Sequence, residues 1–113
     1  MTSRWITLCS IDELREGEGK YVELQGFRLA VFLNQQTPYV TDNACPHAGG
    51  SMSGGHVDAN GCAVCPWHGW AFELKTGKIS GGWDNEMLKT YPCRTLVDDG
   101  GGKVWVQAEL VIA

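Results

Sequence analysis

The sequence predicts an all-β domain, a sandwich or small barrel, and three observations predict it. Short segments of alternating polar and apolar residues recur along the chain. Turn signals break them at the roughly 8–12-residue spacing of such folds. Fifteen glycines supply the tight turns. The 113 residues allow one domain, taken as 1–113, and 43% hydrophobic with 19% charged residues is the balance of an ordered globular chain.

The elements follow in order. Trp5 to Leu8 reads as the first strand. Ser10-Ile11-Asp12-Glu13 then matches a capping box, with Ser10 as the cap and Glu13 three residues on; Gly17 and Gly19 keep that helix short. Residues 20–24 (KYVEL) alternate as a half-buried strand does, Gly26 marks a turn, and 27–33 (FRLAVFL) reads as a second strand of the same kind. Gln35-Gln36-Thr37-Pro38 closes that hairpin ahead of Tyr39-Val40-Thr41. Residues 43–56 are glycine-rich with almost no large apolar side chain. Val57 to Asp58 and Cys62 to Val64 flank the turn Ala59-Asn60-Gly61. Trp70 to Leu74 alternates again and ends at Thr76-Gly77, and Gly81-Gly82 opens another loop. Met87 to Tyr91, Arg94 to Val97 and Val104 to Val106 are the last strands, with Gly100-Gly101-Gly102 as a turn. There is no internal repeat and no linker. Residues 43–85 read as a loop-rich insertion between two sets of strands, a segment that a bound metal would staple.

Composition excludes several classes. Nine Lys and Arg against thirteen Asp and Glu give a net charge of −4, which argues against phosphate-driven nucleic-acid binding and favours a basic protein partner. No apolar run approaches the ~18 residues of a membrane span. Met1 to Trp5 lacks the apolar stretch of a secretory signal, and five cysteines is an odd number, so reduced thiols in the cytoplasm are expected rather than a disulfide framework.

The chemistry is concentrated in the insertion. Cys45-Pro46-His47 and Cys65-Pro66-Trp67-His68 each place one thiol and one imidazole on a tight turn, with seventeen residues between His47 and Cys65. Pro46 and Pro66 restrict each turn, and glycine-rich flanks let backbone N–H groups approach a buried anion. Two chemistries suit such a set. A structural zinc ion takes all four ligands in a tetrahedron, although zinc fingers usually pair like ligands along the chain. A [2Fe–2S] cluster of mixed ligation takes two Cys on one iron and two His on the other, and two facing loops that each carry one of each satisfy that directly. Cys62, three before Cys65, offers a Cys-x-x-Cys reading, but its strand position suits a small buried hydrophobe, as do those of Cys9 and Cys93. His56 reads as a surface loop residue. Trp67 is expected to cover the site, Trp70 to pack or shield it, and Trp5, Trp83 and Trp105 to anchor core or loops. Asp12, Glu13, Glu16, Glu18, Asp98 and Asp99 read as solvated faces.

With its flanks, Cys45-Pro46-His47-Ala48-Gly49-Gly50 and Cys65-Pro66-Trp67-His68-Gly69-Trp70, followed by Phe72 and Thr76-Gly77, the pattern resembles the Rieske iron–sulfur family. The resemblance covers most of the chain. It implies an antiparallel β-sandwich base with an inserted cluster-binding subdomain, and a [2Fe–2S] cluster near the surface. Cys45 and Cys65 would hold the inner iron. His47 and His68 would hold the outer one, with their ring edges towards solvent. High-potential members add one Cys in each loop, joined as a disulfide, and a Ser that hydrogen-bonds a sulfide; the corresponding positions here are Gly50, Trp67 and Trp70. Fewer hydrogen bonds leave the cluster's charge less stabilised, which implies the low end of the range of about −150 to +300 mV.

No nucleophile–base pair or open substrate pocket stands out, so no catalytic residue is assigned. The resemblance implies an electron-transfer component without catalysis of its own, carrying one electron from a flavin-containing reductase to a terminal oxidoreductase. Two settings fit: the ferredoxin component of a ring-hydroxylating dioxygenase, and the small subunit of an assimilatory NAD(P)H nitrite reductase. A structural or binding module stapled by metal is the alternative of another class.

Overall fold

The structure, a computed structural model, describes residues 2–46, 49–80 and 86–112. Strands β1 (Thr2–Ser10) and β10 (Val104–Ile112) are the two longest and pair antiparallel, with β9 (Cys93–Val97) on the far side of β10. The alternation of β10 sets its faces. Val106, Ala108 and Leu110 point inward and are buried, while Trp105, Gln107, Glu109 and Val111 take the opposite face. A register shift between Thr7 and Cys9 bends β1. The capping box is present, with the Ser10 amide donating to Glu13 and the Asp12 amide to the Ser10 hydroxyl, but the element it starts is a single 3₁₀ turn, Ile11–Glu13.

A second sheet holds β2 (Gly19–Leu24), β3 (Phe27–Asn34), β4 (Thr37–Asp42) and β8 (Thr90–Tyr91), in the order β2-β3-β4-β8. It packs on the first through Leu29, Val31, Leu33 and Val40 against Cys9, Val106, Ala108 and Leu110. The turn between β3 and β4 is two residues, Gln35 and Gln36, both with positive φ (52° and 62°). Their amides donate to the Glu16 carboxylate, at 2.5 and 2.9 Å, so Glu16 anchors a turn rather than decorating a solvated face.

The insertion forms a third sheet from β5 (His56–Val57), β6 (Cys62–Val64) and β7 (Ala71–Glu73). The Asp58 carboxylate shapes its first hairpin by accepting from the amides of Asn60 and Cys62. This subdomain lies on the other face of β3. Ala30 and Phe32 meet Met52, Ala63, Phe72, Leu74 and Leu88, together with Cys45 and Cys65. Residues 29–33 are therefore buried on both sides, not half-buried as their pattern suggested, because a continuous apolar run suits a strand covered twice. The insertion also brings its own apolar anchors, Met52, Phe72 and Leu74. It is less dependent on a staple than residues 43–56 alone imply.

Other expectations are corrected in detail. Met87 makes one isolated bridge with Lys78 and is exposed, so the strand there is only Thr90–Tyr91. His56 is exposed but belongs to β5. Trp5 and Trp105 are half-buried on the outer face of the first sheet and not in the core; Arg94 lies 4.1 Å over the first ring and Lys103 4.9 Å over the second. Cys9 is buried, and Cys93 half-buried. Trp83 and the Gly81-Gly82 loop lie outside the described residues. No helix among the described residues is long and apolar enough to cross a membrane.

Candidate metal centre

Two loops rise from the third sheet and the end of β4, and they share one backbone plan. In the first, the Cys45 amide donates to the Gly50 carbonyl at 2.8 Å and the Gly49 amide returns to the Cys45 carbonyl at 2.8 Å. In the second, the Cys65 amide donates to the Trp70 carbonyl at 2.8 Å and the Gly69 amide to the Cys65 carbonyl at 3.0 Å. The return bond needs a left-handed residue four positions after each cysteine. Gly49 and Gly69 supply it, with φ of 74° and 72°. The repeat of Gly at that offset from each Cys is the sequence signal for the shared plan.

Asn43 was not singled out from sequence, yet it fixes the first loop. Its amide donates to the Arg28 carbonyl, its carbonyl accepts from Met52, and its side-chain oxygen accepts from the Ser53 amide at 3.0 Å. The loop is thereby tied to β3 and to the 3₁₀ turn Met52–Gly54.

The candidate ligands are distributed asymmetrically. Cys45 and Cys65 are 3% and 1% exposed and belong to the same buried cluster. His68 is exposed, and its ring stands edge-on to Trp67 with centroids 6.5 Å apart. His47 lies outside the described residues. Among the described residues, no group of three or more His, Cys, Asp or Glu gathers around one point. Cys62 is buried in β6, paired with Glu73 across the sheet, and burial pushes its thiol up in pKa; it packs as a small apolar residue. Trp70 is half-buried against the second core, while Trp67 is 64% exposed. Soft sulfur donors in an apolar setting with an imidazole at the surface fit the mixed ligand set of a [2Fe–2S] cluster.

The chain is similar to several known proteins. A family model described as the Rieske [2Fe-2S] domain matches residues 4–92. The ferredoxin component of the naphthalene 1,2-dioxygenase system of Pseudomonas putida is 32% identical over 94 residues, 83% of this chain and 89% of that protein. Cholesterol 7-desaturase of Hemicentrotus pulcherrimus is 39% identical over 94 residues, but the chain spans only 20% of that protein's length. Among solved structures, one assigned as the NADH-dependent nitrite reductase small subunit of Mycobacterium tuberculosis superposes with a TM-score of 0.79 at 28% identity, covering 100% of both chains. The ferredoxin in a complex with the oxygenase of carbazole 1,9a-dioxygenase gives 0.70 at 26% identity, covering 89% of this chain and 99% of that one. The chain belongs to the Rieske [2Fe-2S] domain family, whose cofactor is a [2Fe–2S] cluster.

Proposed function

We propose that this protein is a one-electron carrier of the cytoplasm, taking electrons from a flavin-containing reductase and passing them to the terminal oxygenase of a ring-hydroxylating system. The observation that carries the reading is the contrast between two buried thiols, Cys45 and Cys65, and an exposed imidazole, His68. Cys45 and Cys65 would hold the inner iron, and His47 and His68 the outer one. The bound cluster supplies reversible one-electron chemistry. The chain's own residues do the rest. Burial keeps the cysteine sulfurs from solvent and alkylating agents, the paired backbone bonds hold each loop in shape, and the exposed histidine shortens the path to a docked partner. The net charge of −4 steers the encounter towards a basic face. Protein–protein electron transfer requires no substrate pocket, so no catalytic residue is assigned to the chain itself.

The relatives support this reading by length as well as identity, since the dioxygenase ferredoxin is matched over nearly its whole chain. The full-length superposition on the M. tuberculosis structure favours a second reading, the small subunit of a nitrite reductase. One experiment separates them. The protein is reduced anaerobically by a flavin-containing NADH reductase, then mixed with a ring-hydroxylating oxygenase or with a nitrite reductase large subunit. Rapid reoxidation by the oxygenase, monitored by visible absorbance, supports the first reading. Stable complex formation with the large subunit and no reoxidation by the oxygenase would transfer the assignment to the second.

A further inference from the structure

No disulfide ties the two cluster loops. Packing joins them instead. A Cβ built on Gly50, in the first loop, would stand 3.0 Å from Cγ of Trp67 and 3.1 Å from both Cδ2 of Trp67 and Sγ of Cys65, in the second. The Gly50 backbone, the indole and the Cys65 sulfur therefore meet at one point, where a methyl group would fit only if the indole or the sulfur gave way by a few tenths of an ångström. Trp67 is nevertheless 64% exposed, with part of its ring on the glycine and much of the rest in water. A large apolar side chain left in water is a missed opportunity for burial, so its placement calls for a reason other than core packing.

We infer that Trp67 is the clasp of the metal centre, a positioning residue that holds the first loop against the second and keeps water from the Cys65 sulfur, with Gly50 as its seat. The inference rests on the proposed ligand role of Cys65. It extends the expectation that Trp67 covers the site: the ring lies over the seam between the loops from outside. The edge-on His68 ring beside it gains a fixed neighbour from the same clasp. Opening of the seam is a local event, and its frequency depends on contacts made at the seam and not on global stability.

The test uses the protein as purified, with three variants, Trp67→Ala, Trp67→Phe and Gly50→Ala. Two rates are followed: loss of visible absorbance on adding a ferrous-iron chelator and dithionite, and iodoacetamide labelling of Cys65 by peptide mass spectrometry. The labelling is read whatever the iron content, with Cys62 as internal control. Trp67→Ala should raise both rates roughly five- to thirtyfold, the change in open population expected for losing one good contact. Trp67→Phe should restore most of the protection. Gly50→Ala, which keeps the indole but fills its seat, should move both rates in the same direction as Trp67→Ala. Cys62 labelling should not change. Unchanged rates in Trp67→Ala, or a Phe variant as open as the Ala variant, would overturn the clasp. A wild-type protein that holds no iron would instead defeat the carrier reading, and Cys65 labelling would still decide the clasp.

Discussion

The hydroxyl of Tyr91 donates to the carboxylate of Asp42, joining the strand that returns from the insertion to the strand that departs for it. Asp42 is the last residue of β4 and stands three positions before Cys45, so this bond closes the base of the cluster subdomain. Burial, and then the neighbouring carboxylate, raise the Tyr91 phenol well above its ordinary pKa, so it stays a donor at any physiological pH.

Tyr91→Phe removes only that bond. The pair is partly buried and the acceptor is charged, so the loss should be roughly 1–2 kcal/mol. Urea denaturation should show it, with faster hydrogen exchange at the Asp42 amide, which donates to the Lys89 carbonyl at 2.9 Å. Unchanged stability and exchange would mean that the base of the insertion is closed by packing alone.

The ligand assignment separates two substitutions of superficially similar residues. His68→Ala should lose the iron and sulfide yet keep the β fold by circular dichroism, because the second core is built from Phe32, Met52, Phe72, Leu74 and Leu88. Cys62→Ala should keep a full complement of iron at a modest cost in stability. Iron and sulfide analysis decides the matter: retention in His68→Ala, or loss in a folded Cys62→Ala, would require a different ligand set.

The non-ligand thiols carry a pH signature. Burial raises the Cys9 and Cys93 thiols from an ordinary pKa of 9.0 to about 11. In this shift the folded state keeps its proton where the unfolded chain has released it. The resulting stability is fully present below about 9 and is lost as pH rises towards about 11. Half-buried Cys93 reports it directly. Its alkylation rate, measured by peptide mass spectrometry, should keep climbing to about pH 11, and a plateau near pH 9 would contradict the burial effect.

The fold class was legible because turns and alternation are local properties of the chain. The capping box at Ser10, the Asn60-Gly61 turn and the strand around Val106 all stand where the pattern puts them. Burial of β3 on both faces was harder to read, because FRLAVFL shows an apolar run without saying what covers its second side. Trp5 and Trp105 misled for a related reason: an indole stacked under a cation satisfies itself on a solvent face, and no local pattern distinguishes that from a core position. At the site, the spacing of Cys45, His47, Cys65 and His68 carried the resemblance to the family whose model matches residues 4–92, and the ligand set itself is a proposal. Asn43 escaped notice because its bonds run to Arg28 and Ser53, partners brought together only by the fold.

The reduction potential follows from what surrounds the sulfurs. Glycine and tryptophan occupy Gly50, Trp67 and Trp70, so none of the three offers a hydroxyl or thiol to the cluster. A redox titration should fall below about +100 mV, in the lower part of the window for this ligation. A higher value would mean that other donors stabilise the reduced state.

The central claim is that two irons are held unequally, one by Cys45 and Cys65 and the other by His47 and His68. Mössbauer spectroscopy of the oxidised, isotopically enriched protein tests it most directly. Two distinct ferric sites in equal amounts are the predicted result; a single kind of site, or no bound iron, would contradict the account.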